Sequence, residues 1–295
     1  MSQATPGRLL SLLQGPRRPR VAKTGSPGQI IGSPGLRSLH AMELFDGLLD
    51  DETLVQLPEI ATPELLARHS ELRKAYRSLL ATLVVPDRRL ADIARQLPPG
   101  PSVPVSVITS GGAGGLLALA RHDVPGLDIV AVEPALRDLD DLAGNAARVV
   151  SAASQLGPEV TVFIELPYAP GWRAAVEVIE AAGLYGKIAV GHAEPQQVVE
   201  QLSILIEADL PFKITGTREG AWLSLLLVVE ALVAGATVDD AAALMRLDDQ
   251  RSGSAISGWD PPTQTRVRRR VRRLGTDRVT EVINNLTIDG ELPTP

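Results

Sequence analysis

Two lysines and two glutamates stand inside runs that otherwise read as buried β-strand. Lys187 lies in Lys187-Ile188-Ala189-Val190-Gly191, Lys213 in Pro211-Phe212-Lys213-Ile214-Thr215, Glu165 in Val160 to Leu166 and Glu133 at the end of Asp128 to Glu133. A charge in such a run is costly unless it is paired or at work. A lysine amine projecting into a desolvated pocket has its pKa lowered into the nucleophilic range and can attack a carbonyl carbon. The pattern therefore predicts a nucleophilic amine at Lys187 or Lys213. Asp46, in the first candidate strand, or Glu165 would relay the proton. The competing reading is structural: both lysines pair with Glu133 or Glu165 and plug the interior. Lys187 stands at the start of its predicted strand, which would turn its ammonium toward the opposite end from the catalytic face.

Other residues carry weaker signals. His192, in Gly191-His192-Ala193-Glu194 just past a strand, is placed for acid–base work, and Arg218 in the next such loop for gripping a phosphate or carboxylate with two parallel hydrogen bonds. Ser110-Gly111-Gly112-Ala113-Gly114-Gly115 follows a strand and opens a helix, with Glu133 about 20 residues on, close to a dinucleotide-binding fingerprint. Leu117 occupies the position of the third glycine, so the run reads as a flexible turn or as an anion nest built on Gly112 and Gly114. No Gly-x-Ser-x-Gly elbow and no Walker lysine is present, which removes serine-hydrolase and nucleotide-hydrolysing readings.

The elements that position these groups alternate. Strands are predicted at 82–85, 104–109, 128–133, 160–166, 187–191 and 211–215, with helices at about 87–97, 112–121, 135–155, 170–183 and 195–208. Leu44-Phe45-Asp46 is a candidate first strand ahead of a helix over 63–80, and a last one lies at 253–257 or 274–279. Strands alternating with helices mean a parallel sheet. Charges inside the strands favour a closed (β/α)8 TIM-barrel-like fold, distorted at its weakest strands, over an open doubly wound sheet, because inward side chains of a barrel converge on one pocket.

In this order, Leu44-Phe45-Asp46-Gly47, Leu83-Val84-Val85-Pro86, Phe163-Ile164-Glu165-Leu166-Pro167, Gly186-Lys187-Ile188 and Pro211-Phe212-Lys213-Ile214-Thr215-Gly216 resemble a bacterial family of barrel-like proteins to which no activity is assigned. The resemblance spans most of 42–290 and departs at Gly216-Thr217-Arg218-Glu219-Gly220, where the family carries a Gly-Leu-His-His-Pro type loop, and at Gly275-Thr276-Asp277, where it carries a Ser-Cys-Ser-Phe type strand. The two strand lysines with a carboxylate also resemble the deoxyribose-phosphate-aldolase-like enzymes, in which one lysine forms a Schiff base and a neighbouring cation depresses its pKa; the resemblance implies a lyase acting through Lys187 or Lys213 on a small carbonyl or anionic metabolite without a cofactor.

Composition narrows the rest. The absence of cysteine excludes a thiol nucleophile, a disulfide scaffold and an iron–sulfur cluster, and four histidines far apart argue against a metal cage. Aromatics at 3% argue against base-stacking nucleic-acid modules. No apolar run is long enough for a membrane span, so a cytoplasmic protein is expected. Residues 1–41 hold six bases, no acid and a repeated Gly-Ser-Pro-Gly, and read as a disordered tail ahead of a 42–290 domain. Arg266 to Leu274 reads as an arginine-rich amphipathic helix with Val267, Val271 and Leu274 inward. If its outer face and the tail contact an anionic partner, the protein is a non-catalytic binding or scaffold protein instead. The apolar Ala221 to Ala234 segment is expected to be buried or to form a subunit interface.

Overall fold

Strands β1 (Leu49–Asp51), β2 (Leu80–Pro86), β3 (Val103–Thr109), β4 (Leu127–Pro134), β5 (Thr161–Glu165), β6 (Tyr185–Ala189), β7 (Phe212–Thr215) and β8 (Val271–Thr276) pair in sequence order, and β8 pairs back to β1. All eight pairings are parallel, so the sheet closes into a (β/α)8 barrel in this computed structural model, which describes residues 43–121, 123–191, 193–216 and 222–285. The expected tail 1–41, His192 and Arg218 lie outside the described residues. The expected distortion falls at β1, β3 and β7, where the register to the following strand shifts at Leu49/Asp50, Val105/Ser106 and Phe212/Lys213.

Alternation along the strands separates two environments. Outward residues such as Leu83, Val85, Val105, Val107, Val132, Ile164, Ile188 and Ile214 join one apolar core with the surrounding helices. The alternate positions carry Asp50, Glu52, Thr82, Ser106, Glu133, Lys187, Lys213 and Thr215, all buried, and the apolar Val84, Ala131 and Phe163, which stand apart from that core. The barrel lumen is therefore polar and ionic while its outer wall is apolar.

The helices are α1 (Thr53–Gln56), α2 (Thr62–Ala75), α3 (Leu90–Gln96), α4 (Gly112–Leu119), α5 (Leu142–Ala153), α6 (Trp172–Ala181), α7 (Pro195–Glu207), α8 (Trp222–Val233), α9 (Val238–Leu244), α10 (Asp249–Ser257), α11 (Pro261–Arg270) and α12 (Val279–Asn285). Helix α8 is buried almost all round, covered by α9, α10 and α11 of the same chain. That accounts for its apolar sequence without a second subunit. No helix among the described residues is long and apolar enough to cross a membrane.

Three expectations are corrected. Glu43–Phe45 is a single 3-10 turn, with Leu44 and Phe45 buried and Phe45 set edge-on to Trp222 at 6.2 Å; Gly47, at φ +55°, then turns the chain into β1, so the first strand begins after Asp46. Of the two places expected for the last strand, 253–257 is helical, inside α10, while 274–279 overlaps β8. Helix α11 carries the first part of the arginine run, capped by Asp260 on the Thr263 N–H at 2.8 Å, but it stops at Arg270. Val271 to Thr276 is strand instead, because only an eighth strand between β7 and β1 closes the barrel, and tertiary pairing overrides a local helical period.

Candidate active site

Register brings the lumen charges together. Glu165, Lys187, Lys213 and Arg273 are Cα partners across β5, β6, β7 and β8, so their side chains form one band. Glu133 reaches the same band from β4, and Asp50 and Glu52 reach it from β1.

Lys213, fully buried, donates hydrogen bonds to Asp50 Oδ2 and Glu133 Oε1, both at 2.8 Å, and stands 3.4 Å from Glu52 Oε1. Lys187, 3% exposed, is ion-paired at 2.8 Å with Glu133 Oε2 and at 2.8 Å with Glu165 Oε2. Glu133 therefore bridges the two ammonium groups, and Ser106 Oγ donates to its Oε1 at 2.5 Å. Thr82 Oγ1 donates to Asp50 Oδ1 at 2.6 Å, with Arg273 Nε 3.7 Å from the same oxygen. Thr215 Oγ1 donates to the Glu52 carboxyl at 2.5 Å. Gly275 on β8 faces that carboxyl, whose oxygens fill the space a Cβ would occupy. A larger residue there would expel Glu52.

The electrostatics follow from this crowding. Burial alone would raise the Glu133 carboxyl, but the ammonium groups of Lys187 and Lys213 more than reverse it and hold it far below the carboxylate range. Glu52 goes the other way: burial raises it, and Glu133 adds to the rise against the pull of Lys213 and Lys187. Burial would depress both lysines, yet Glu133 and Glu165 push Lys187 up, and Asp50, Glu133 and Glu52 push Lys213 up. The expected lowering of a lysine pKa is thus overturned. Both amines rest as ammonium ions because each has at least two carboxylates beside it.

The predicted site residues divide accordingly. Lys187, Lys213 and Glu165 converge. Lys187 is the third of five β6 residues, and its contact with Glu165, the last residue of β5, turns it toward the C-terminal end, not the bottom. Glu165 is the accessible member of the band, its side chain 35% exposed. Asp46 is excluded: it is exposed ahead of β1, and its carbonyl accepts from Arg268. The acids of β1, Asp50 and Glu52, take the place given to it. Gly112 and Gly114 stand in the first turn of α4, apart from the band; the loop's Ser110 donates its N–H (2.6 Å) and Oγ (2.7 Å) to Asp87, a carboxylate of the chain itself. Sequence reading missed Asp50, Glu52, Thr82, Ser106, Thr215 and Arg273.

The arginine run is engaged with the chain itself at the other end of the barrel. Arg268 donates to the carbonyls of Val271, Arg272, Asp46 and Gly47; burial and the neighbouring Arg273 and Arg272 bring it down to about 10. Arg269 and Arg270 pair with Asp209, and Arg272 stacks on Tyr185 at 5.9 Å.

By class, then, this is a parallel (β/α)8 barrel with a buried lysine–carboxylate network in its lumen. Comparison of the chain with protein-family models, with curated proteins and with solved structures finds no match.

Proposed function

We propose that the protein is a lyase that acts on a small carbonyl compound through a Schiff base on Lys187. One observation carries this reading. The chain has only four lysines among its 29 basic residues, and two of the four stand side by side in the lumen, on β6 and β7. Elsewhere, Lys74 with Glu71 apart, the ion pairs among the described residues that involve a permanent cation use arginine. An ion pair alone would be met by arginine, whereas a guanidinium stays charged and cannot form an imine. An amine at these positions fits a covalent role.

Lys187 suits that role better than Lys213. It borders Glu165, the one lumen carboxylate among the described residues with substantial exposure, while Lys213 is enclosed by three acids. A carbonyl ligand that covers Glu165 removes its water, which destabilises the separated charges and favours proton transfer from the Lys187 ammonium to the Glu165 carboxylate. The freed amine attacks the carbonyl carbon; a C–N bond forms, and the C=O π pair goes to oxygen, which takes the Glu165 proton. One of the two protons now on nitrogen passes to Glu165 and from it to the departing hydroxyl, which leaves as water; the protonated imine that remains accepts the electron pair of a breaking C–C bond. Lys213 holds Glu133 in place as the fixed counter-charge of the new cation.

The non-catalytic alternative, in which the arginine helix meets an anionic partner, is weakened by the contacts of Arg268, Arg270, Arg272 and Arg273 within the chain. Borohydride trapping separates the two. A carbonyl probe plus reductant adds mass at Lys187 if the lyase reading holds, and leaves both lumen lysines unmodified if the network is only a plug.

A further inference from the structure

Outside the barrel wall, at the N-terminal ends of β3 and β4, a groove of about 1020 Å³ separates α2 from the 96–103 segment. One stretch of its wall is apolar, with Leu66, Leu97 and Val103 among the lining residues. Basic Arg73, Lys74 and Arg77 line it too, with Glu71, whose charge Lys74 meets at 2.8 Å, and so does His69. Its size suits a small molecule.

His69 is the unusual member. It is 2% exposed, and its Nδ1 lies 2.9 Å from Asp51 Oδ2. Asp51 is fully buried and faces away from the lumen, between Asp50 and Glu52 on β1. It accepts the Thr53 N–H at 3.0 Å and the Thr53 hydroxyl at 2.6 Å on Oδ1. Burial would raise the Asp51 carboxyl, but His69 and Thr53 bring it below its ordinary value, so it is a carboxylate that fixes Nδ1 as the protonated nitrogen. The other nitrogen, Nε2, is buried and has no hydrogen-bond partner among the described residues. Buried polar atoms are rarely left so. An oriented imidazole beside a groove lined by two arginines and an apolar wall is the complement of one kind of molecule.

The geometry points to this groove as a binding site for a carboxylic acid with an apolar body, its head group meeting His69 Nε2 and the guanidinium groups of Arg73 and Arg77. The carboxyl satisfies Nε2 in either state: protonated, it donates to the nitrogen lone pair; ionised, it accepts from the imidazolium. The hydrocarbon lies along Leu66, Leu97 and Val103, where its burial is favourable. This site is independent of the lyase reading and stands or falls separately.

Decanoate and decanol, used below micelle-forming concentrations, test it on the full-length ¹⁵N-labelled protein. Decanoate is expected to shift the His69 imidazole nitrogen resonances and to bind at least tenfold more tightly than decanol. Arg77→Gln, at an exposed position where folding is not at stake, is expected to weaken decanoate binding several-fold and leave decanol unchanged. His69→Gln adds a second arm: it removes the decanoate preference, and if that variant does not fold, the wild-type resonance shift still decides. Equal affinity for acid and alcohol, no movement of the His69 signals at saturation, or binding indifferent to Arg77→Gln would each overturn the assignment.

Discussion

Replacing Lys213 with methionine removes the cation at the centre of the lumen while keeping its approximate length. In the wild type its ammonium meets Asp50 and Glu133 at 2.8 Å and Glu52 at 3.4 Å, and all three acids are essentially inaccessible. Without it, three buried carboxyl groups share Lys187, already paired to Glu133 and Glu165, and Arg273, 3.7 Å from Asp50. Removing one partner of a buried ion pair costs about 3–5 kcal/mol, because the remaining charge stays desolvated. For a domain of this size that corresponds to a fall in Tm of roughly 6–20 °C. Proton uptake by the stranded acids relieves part of the penalty, so the loss at pH 5 is smaller than at pH 7.5. Urea titrations of wild type and Lys213→Met at the two pH values measure it, with Lys74→Met as a control. Lys74 pairs with Glu71 on the surface at 2.8 Å, and such pairs contribute about 0–1 kcal/mol. If Lys213→Met costs no more than Lys74→Met at pH 7.5, the lumen network is not the tightly coupled unit described above.

Other consequences can be measured on single variants. Gly275→Ala puts a methyl group where the Glu52 carboxyl lies, and overpacking of that kind is expected to cost about 1–3 kcal/mol in a urea melt; a neutral result would mean that β8 shifts freely. Glu52, raised by burial, contributes stability that is present at low pH and lost as pH rises through its folded value, so its protonated-carboxyl infrared band should persist to higher pH than that of an exposed glutamate and vanish in Glu52→Gln. Glu133, held low by the two lysines, works in the opposite sense: its contribution is complete above its ordinary value of 4.5 and fades as pH falls toward its folded value, so Glu133→Gln should flatten the acid limb of the stability profile. Arg273→Gln should destabilise more than Arg269→Gln, since Arg273 enters the lumen beside Asp50 while Arg269 pairs with Asp209 in solvent; equal losses would refute the inward placement.

The barrel was legible because its signal is local and repeated: six apolar strands, each followed by a helix, with charges at positions that only a closed lumen can accommodate. Lys187, Lys213 and Glu165 were legible for the same reason, since a charge inside an apolar run stands out. Asp50 and Glu52 were not. Their strand has three residues, all hydrogen-bonded in place by β2 and β8, and in sequence Leu49-Asp50-Asp51-Glu52 looks like a solvated turn. The first half of β8, Val271 to Arg273, was hidden by a stronger local pattern, the arginine run, whose helical period carries on past the point where pairing to β1 and β7 takes over. The direction of the lysine pKa values was misjudged because burial can be read from an apolar run, whereas the carboxylates that reverse its effect arrive from β1 and β4 through folding alone. One further signal was available in the composition: in a chain with only four lysines among 29 basic residues, two of the four fall in predicted strands.

The central claim is that Lys187 is a covalent nucleophile, and reductive trapping tests it most directly. The protein is incubated with a short aldehyde or a 2-oxo acid in the presence of borohydride, digested, and its four lysines are read individually by mass. The account predicts one dominant adduct at Lys187, formed faster than at exposed Lys74 despite its burial, and abolished by Lys187→Arg in a variant that keeps its fold. Modification of Lys74 with Lys187 untouched would contradict it and leave the lumen network as a structural plug.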